Sequence, residues 1–375
     1  MEVTQIYELL NDLTSEVTGQ TDLVAEDLSN VVDVGTAIFA NTTIDHYVKS
    51  LMNRIGKVIM VNRPYKPPYP NIRRDAWEYG SVLQKLRAAI PEAEENPSWN
   101  LQNGQGANQF LFYQPSITQK FWNSKTTYDI SMSFTEMQVK ESMGSASELR
   151  SFIGMIENSI NMSKTIKEKA LAERAITNFM GCKIHATNGV VHLLADYKTA
   201  HPTSTLTSAN ALYDADFLRF CSVQIMMYRD RLRDASNLYN MGTIPTFTPT
   251  EYLHLVLNAE FAKSIEAYMM ADTYHEALVA MSGYDTVNFW QGMGDASYSF
   301  QKTTSINITT SDGDDVSEDY IVGIMFDRDA IMLCNENDRV TSAYNAKQEF
   351  INNFYKFDIS LFNDTAENGI IFILD

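Results

Sequence analysis

The chain has 375 residues, 45% of them apolar and 20% charged, and a formal net charge of -18. It is too apolar for a disordered polymer, and at roughly 100 to 200 residues per domain it suggests two or three compact units. The acid excess argues against a protein that grips nucleic acid through its phosphates, which needs a basic stripe, but not against one that encloses DNA.

No apolar run approaches the roughly 18 residues that cross a bilayer, so no membrane partner is expected. The N-terminus MEVTQIYELLNDLTSE carries acids where a secretory signal carries bases, which points to a product made in the cytoplasm. Cys182, Cys221 and Cys334 are odd in number and widely separated, without a CxxC pair, and read as buried thiols.

Charge is segregated along the chain. Residues 1–48 hold nine acids, among them Glu16, Asp22, Glu26 and Asp27, and no Lys or Arg. Residues 49–87 hold nine bases, among them Arg73, Arg74, Lys85 and Arg87, against Asp75 and Glu78. Such runs are ordinary solvated surface in most proteins. The sharper reading lays the acidic arm of one copy on the basic segment of a neighbour, a contact that weakens as salt rises.

Val3, Ile6, Tyr7, Leu10, Leu13 and Val17 fall at three-and-four spacing and predict a short amphipathic helix that needs a surface to lie on. Residues 30–65 join a helical stripe (Ile44, Val48, Leu51) to a β-branched run (Val58, Ile59, Val61), a short helix leading into a strand. Residues 64–100 hold six of the ten prolines, which bars a helix or a central strand there. YGSVLQKLRAAI and, after NGQGAN, QFLFYQPSITQKFWNSKTTYDISMSF read as two arms of a long excursion with strand character, its tip near Gly104 and Gly106. Its aromatics, including Trp77, Tyr79, Trp99, Phe110, Phe112, Phe121 and Trp122, mark it as a binding loop, since a routine connector is far shorter.

Residues 145–181 give the clearest helical signal. Ser145 and Glu148 form a capping box, Leu149, Phe152, Ile153, Ile156 and Ile160 begin one apolar face, and Gly181 is placed to end the helix. The polar NMSK could break it in two. FLRFCSVQIMMYRDRLRDA predicts a helix, PTFTPTEYLHLVLNAEFAKSIEAYMMADTY a strand and a further helix, and SFQKTTSINITT a polar strand. SDGDDVSED, with Asp312, Asp314, Asp315, Glu318 and Asp319, reads as a solvated turn because it lacks the spacing of a calcium hand. In YIVGIMFDRDAIMLCNEND the DRD turns between two apolar runs like a hairpin, and GIIFILD is a closing strand.

There is no GxSxG elbow, GxxxxGK loop, GxGxxG after a strand or HExxH, and HEALV at His275 lacks the second histidine. The six histidines are scattered; His185 and His192 could meet across a hairpin, but structural roles are favoured. No catalytic residue, cofactor or metal site is predicted.

The order of these elements resembles the Hong Kong 97-type fold of tailed-phage major capsid proteins. NVVDVGTAIFANTTIDHYVKSLMNRIGKVIM is similar to the N-arm exit and first strand in capsid proteins of small, protein-primed, short-tailed phages. YGSVLQKLRAAIPEAEENPSWNL resembles the outgoing arm of the family's extended loop, FWNSKTTYDISMSF the return arm, and 145–180 the spine helix. IVGIMFDRDAIMLCNENDRVTSAYNAKQEFINNFYKFDISLFNDTAENGIIFIL is similar to the closing strands.

The resemblance implies an α+β fold with an N-terminal arm (1–35), a first part of a peripheral domain (36–62) and an extended loop (63–128). The rest of the peripheral domain (129–205) carries the spine helix at 145–181, followed by an axial domain (206–311) and closing strands (312–375). It implies a self-assembling shell protein and not an enzyme. Its partners would be further copies of itself in hexamers and pentamers, a scaffolding protein and a portal protein, around double-stranded DNA bound without sequence specificity. Loop residues Arg73, Arg74, Trp77, Tyr79, Lys85, Arg87, Trp99, Phe110, Phe112, Phe121 and Trp122, and arm acids Glu16, Asp22, Glu26 and Asp27, are then expected at subunit interfaces. The alternatives are a nanocompartment shell of the same fold, a soluble α/β enzyme, or a tail or connector protein.

Overall fold

The computed structural model describes residues 3–18, 24–41, 72–74, 83–100, 103–104, 110–123, 125–270, 283–292 and 304–375. The chain divides into two compact units: Met1–Tyr79, Lys125–Ala172 and Leu333–Leu361 form the first, and Gly80–Ser124, Glu173–Met332 and Phe362–Asp375 the second.

In the first unit the N-terminal stripe forms helix α1 (Val3–Thr18), which packs against α2 (Val31–Asn41). Ile6 and Leu10 from α1 are buried, as are Leu28, Val31 and Val34, so the face that sequence periodicity marked is the face covered. The helical stripe and strand expected over 44–61 lie outside the described residues.

The unit's sheet runs in the order β1 (Arg73–Arg74), β11 (Ile331–Asn345), β12 (Phe350–Asn363), β4 (Thr126–Thr135). β12 pairs antiparallel with β4 from Phe350↔Thr135 to Ile359↔Thr126. Along the first half of β12, Ile351, Asn353, Tyr355 and Phe357 are buried at every second position, the period of a pleated strand with one covered face.

Helix α3 (Glu136–Ser142) starts directly after β4 with a complete capping box: Thr135 Oγ1 accepts from the Gln138 amide at 3.3 Å, and Gln138 Oε1 accepts from the Thr135 amide at 3.0 Å. Next comes α4 (Ala146–His185), 40 residues without a break, with Ser145 Oγ accepting from the Glu148 amide at 3.2 Å. The NMSK stretch does not interrupt it. Lys164, in that stretch, is buried and donates to both Asp338 carboxylate oxygens at 2.8 Å, a charge-assisted anchor for the helix.

The expected stop at Gly181 is corrected by the structure. Gly181 lies inside α4, where a Cβ would stand 2.9 Å from both Ile308 Cδ1 and Thr310 Cγ2, so the glycine serves close approach and not termination. The helix ends with Thr187 at φ 51°: its amide donates to Ile184 O at 2.9 Å and the Asn188 amide to Lys183 O at 3.1 Å, the paired bonds of a Schellman end.

The second unit holds a mixed sheet ordered β5 (Val190–His192), β13 (Gly369–Ile373), β10 (Ile321–Asp327), β6 (Leu253–Asn258), β7 (Tyr284–Val287). Every residue of β10 and β13 is buried, which is why IVGIMF and GIIFI read as continuous apolar runs instead of alternating ones. Helices α5 (Leu193–Ala200), α6 (Ala215–Arg231) and α7 (Ala259–Met270) contribute Leu194, Phe217, Leu218 and Phe261 to a core with Leu257, Met325 and Phe372.

Two further readings are corrected. β10 pairs with β13 and β6 while β11 belongs to the other sheet, so DRD is a link between sheets and not a hairpin turn. The acidic stretch is only partly a solvated turn: Asp315 and Glu318 bound strand β9 (Asp315–Glu318), which pairs with β8 (Ile306–Thr309). His185 sits 3.1 Å from Asp314 and His192 2.5 Å from Asp375, contacts that suit the structural roles favoured for both. The three cysteines are buried and form no disulfide.

Candidate functional site

Two arms of the long excursion form a ribbon within the second unit. β2 (Leu83–Ala88) pairs antiparallel with β3 (Ile117–Trp122), with Lys85 opposite Lys120, Arg87 opposite Thr118 and Leu83 opposite Trp122. The two-residue period of a strand sends Lys85, Arg87, Lys120 and Trp122 to one face and Leu86, Ile117 and Phe121 to the other.

The charged face is the covered one. Lys85 Nζ donates to Asp364 Oδ2 at 2.9 Å, to Glu367 and to the Asp329 carbonyl at 3.4 Å. Arg87 donates to Glu367 and to the Ala366 carbonyl at 2.9 Å, and Lys120 reaches Asp364 Oδ1 at 3.3 Å. Asp364 and Glu367 lie in the turn between β12 and β13, their side chains 3% and 9% exposed. Burial pushes the Asp364 carboxyl up, but the adjacent Lys85 and Lys120 outweigh it and hold the carboxyl below its ordinary value. For Lys85, burial pulls the amine down and the two carboxylates more than restore it, so it stays raised. Trp122 meets Phe362 edge-on with ring centroids 6.0 Å apart.

The face that carries Leu86, Ile117 and Phe121, together with the mutually hydrogen-bonded Gln84 and Gln119, is the bare one. Leu86 is 63% exposed, Ile117 60% and Phe121 54%. Beyond the ribbon, Trp99 (95%), Phe110 (85%) and Phe112 (82%) project into solvent. Trp99 ends a single 3-10 turn, Pro97–Trp99, where Asn96 Oδ1 accepts from the Ser98 amide at 3.0 Å. An ordinary surface does not gather large apolar side chains in this way, and such patches mark contact with another macromolecule.

The other expected residues are spread out. Glu26 and Asp27 are exposed ahead of α2; hydrogen bonds from Ser29 hold the Asp27 carboxyl below its ordinary value, and Asp27 O accepts from Arg150 at 3.5 Å. Of Glu16 on α1, and of Arg73 and Arg74 on β1, only the backbone is described; the two arginines run parallel to Leu333 and Cys334. Asp22, Trp77 and Tyr79 lie outside the described residues. Sequence reasoning missed Lys120, Asp364 and Glu367. The acid-bearing turn DTAEN between two strands was the visible signal, but nothing local announced that it is buried.

The arrangement presents a partly apolar surface that another surface can cover. Residues 8–373 match the Phi29-like phage major capsid protein family. The chain belongs to that family. It is similar to the major capsid protein of Bacillus phage B103, 21% identical over 290 residues that cover 76% of this chain. The match spans 60% of that relative's length. Among solved structures, a chain of the capsid of Staphylococcus phage Andhra superposes with a TM-score of 0.55 at 8% identity, covering 84% of this chain and 86% of that one. A chain from the head-fibre and inner-core-protein structure of native bacteriophage P68 does so with the same TM-score, identity and coverage. The capsid-family fold is of the Hong Kong 97 type, as the order of elements implied.

Proposed function

We propose that this chain is the major capsid protein of a tailed phage, a virion component whose copies close into a shell of hexamers and pentamers around double-stranded DNA. The observation that carries the reading is the family match over residues 8–373, nearly the whole chain. The bare apolar face of the β2–β3 ribbon supports it, because shell interfaces must bury apolar surface on both partners. The function is structural and not catalytic.

In this reading residues 1–35 are an arm, 63–128 the extended loop, α4 the spine, 206–311 the axial domain, and 312–375 closing strands. A scaffolding protein and a portal protein are the further partners. The net charge of -18 suits a wall that must let DNA enter and leave, since tight phosphate binding would retard both.

Electron microscopy of the expressed protein, with and without a co-expressed scaffolding protein, tests the proposal. Closed polyhedral particles or sheets of hexamers are expected; monomers or small oligomers under every condition would overturn it. Particles filled with a protein cargo and free of nuclease-sensitive nucleic acid would overturn the DNA part alone.

A further inference from the structure

The sequence holds three Asn-Gly pairs, at Asn103, Asn188 and Asn368. In such a pair the asparagine side chain can react with its own chain, because the next backbone nitrogen can close a five-membered ring on Cγ and glycine has no Cβ to shield that nitrogen. Three things hold the reaction back in a folded protein: a side-chain amide tied by hydrogen bonds, a nitrogen whose N–H is already donated, and a backbone with no room to turn.

Two of the pairs carry such restraints. Asn368 is fully buried in the turn that leads into β13; its Nδ2 donates to Thr248 Oγ1 at 3.2 Å and Thr246 O at 3.3 Å, and its Oδ1 accepts from Thr246 Oγ1 at 2.8 Å. The Gly369 amide, which would have to attack, donates to Tyr239 O at 2.9 Å. Asn188 is held at both ends of its side chain, where Oδ1 accepts from Lys183 Nζ at 2.9 Å and Nδ2 donates to Leu238 O at 3.4 Å. Gly189 after it is wedged against β13: a Cβ there would stand 2.3 Å from Gly369 O, and its carbonyl accepts from the Ile371 amide at 2.7 Å.

Asn103 is the contrary case. Asn103 and Gly104 are both exposed, in a turn between the two strands of the ribbon, and a Cβ on Gly104 would meet nothing within 4 Å. Open space on every side leaves the backbone room to bring the Gly104 nitrogen to Cγ.

We propose that Asn103 is a site of self-modification that adds a negative charge to the loop, and that the fold spares Asn188 and Asn368. The Gly104 nitrogen gives up its proton and forms a bond to Asn103 Cγ; the Cγ–Nδ2 bond breaks, and the amide group leaves with a proton as ammonia. Water then adds to one of the two carbonyls of the succinimide ring. Opening at Cγ gives aspartate. Opening at the backbone carbonyl gives isoaspartate, whose chain runs through Cγ and is one carbon longer. No oxidant or reductant takes part. Either product adds one carboxylate to a chain of net charge -18, close in sequence to the exposed Trp99 and Phe110. The inference does not rest on the shell reading, and a chain that never assembles is expected to react alike.

The test holds the full wild-type chain at neutral and at mildly alkaline pH and follows the three sites by peptide mass mapping, with chromatography that separates aspartate from isoaspartate. In the folded chain, conversion at Asn103 is expected to run at least about tenfold faster than at Asn188 or Asn368, the ratio that roughly 1.4 kcal/mol of barrier gives. It should quicken as pH rises, because the attacking nitrogen reacts as its anion. In denaturant that ratio should collapse, since the restraints on the other two pairs are gone. Gly104→Ala is expected to slow conversion at Asn103 by about tenfold, because the new Cβ shields the nitrogen. An unchanged Asn103 with no ammonia released, or equal rates at the three sites in the folded chain, would overturn the inference. A tenfold preference for Asn103 that survives in denaturant would overturn it too, by placing the selectivity in local sequence and not in the fold.

Discussion

Lys85 and Lys120 stand directly opposite each other across the β2–β3 ladder, and Asp364 accepts a hydrogen bond from each, at 2.9 and 3.3 Å. Like charges in opposed positions destabilise a ribbon. One buried carboxylate between them turns that repulsion into a tie between the ribbon and the β12–β13 turn.

Asp364→Asn keeps the shape of the side chain and removes its charge. It is expected to destabilise the folded chain by about 2 kcal/mol, because the amide leaves two opposed ammonium groups with weaker partners. Adding Lys120→Ala should recover part of that loss, since it removes one of the opposed charges. Denaturant unfolding of the two single variants and the double variant measures this. Equal stability of Asp364→Asn and wild type would show that the cluster does not hold the ribbon.

The same cluster shows where sequence reading reaches its limit. The ribbon's arms were legible because alternation and turn residues are local, and so were the stripe of α1, the long α4 and the apolar β13. Lys85 and Asp364 are 279 residues apart, and no local pattern says that a turn such as DTAEN is buried or that bases on a strand face inward. Gly181 misled for a related reason. Glycine at the end of an apolar stripe signals a cap, but here it admits Ile308 and Thr310 against the helix, and Thr187 takes the left-handed position instead. DRD misled because two adjacent strands need not pair when each has a better partner in another sheet.

Acid should release the clamp. The Asp364 carboxyl is held below its ordinary value of 3.8, so the folded chain binds that proton less readily than the unfolded chain. Its contribution is therefore complete above the ordinary value and is lost as pH falls through the folded one. Melting temperatures of wild type and Asp364→Asn should differ at neutral pH and draw together as pH falls below 3.8 and through the folded value. A difference that does not shrink as pH falls below 3.8 would place the effect of the substitution in packing and not in charge.

Gly189 and Gly313 both adopt positive φ, 69° and 94°, but only one is crowded. A Cβ on Gly189 would stand 2.3 Å from the backbone oxygen of Gly369 at the start of β13, whereas nothing lies within 4 Å of one on Gly313. Gly313→Ala should cost about 1 kcal/mol for the left-handed backbone alone. Gly189→Ala must also push β13 away from β5, and is expected to cost about 3 kcal/mol or more. Chemical denaturation of the two variants separates strain from clash, and equal losses would refute the clash.

Lys183, on the last turns of α4, is fully buried. Its ammonium donates to Asn188 Oδ1 at 2.9 Å and to the Tyr239 carbonyl at 2.5 Å and lies 5.6 Å from the Phe179 ring centroid, so neutral acceptors and a π face are its contacts. Burial pulls the amine down from 10.5 to about 7. Between those values the unfolded chain holds a proton that the folded chain has released, so stability rises with pH, by on the order of 1 kcal/mol per pH unit. Lys183→Met removes that titration, while the loss of two hydrogen bonds acts equally at every pH. The stability of wild type relative to Lys183→Met, followed from pH 7 to 9.5 by denaturant unfolding, should therefore climb steadily. A flat difference would mean that the amine stays protonated in its pocket, with the two carbonyl oxygens and the Phe179 ring enough to offset the loss of water.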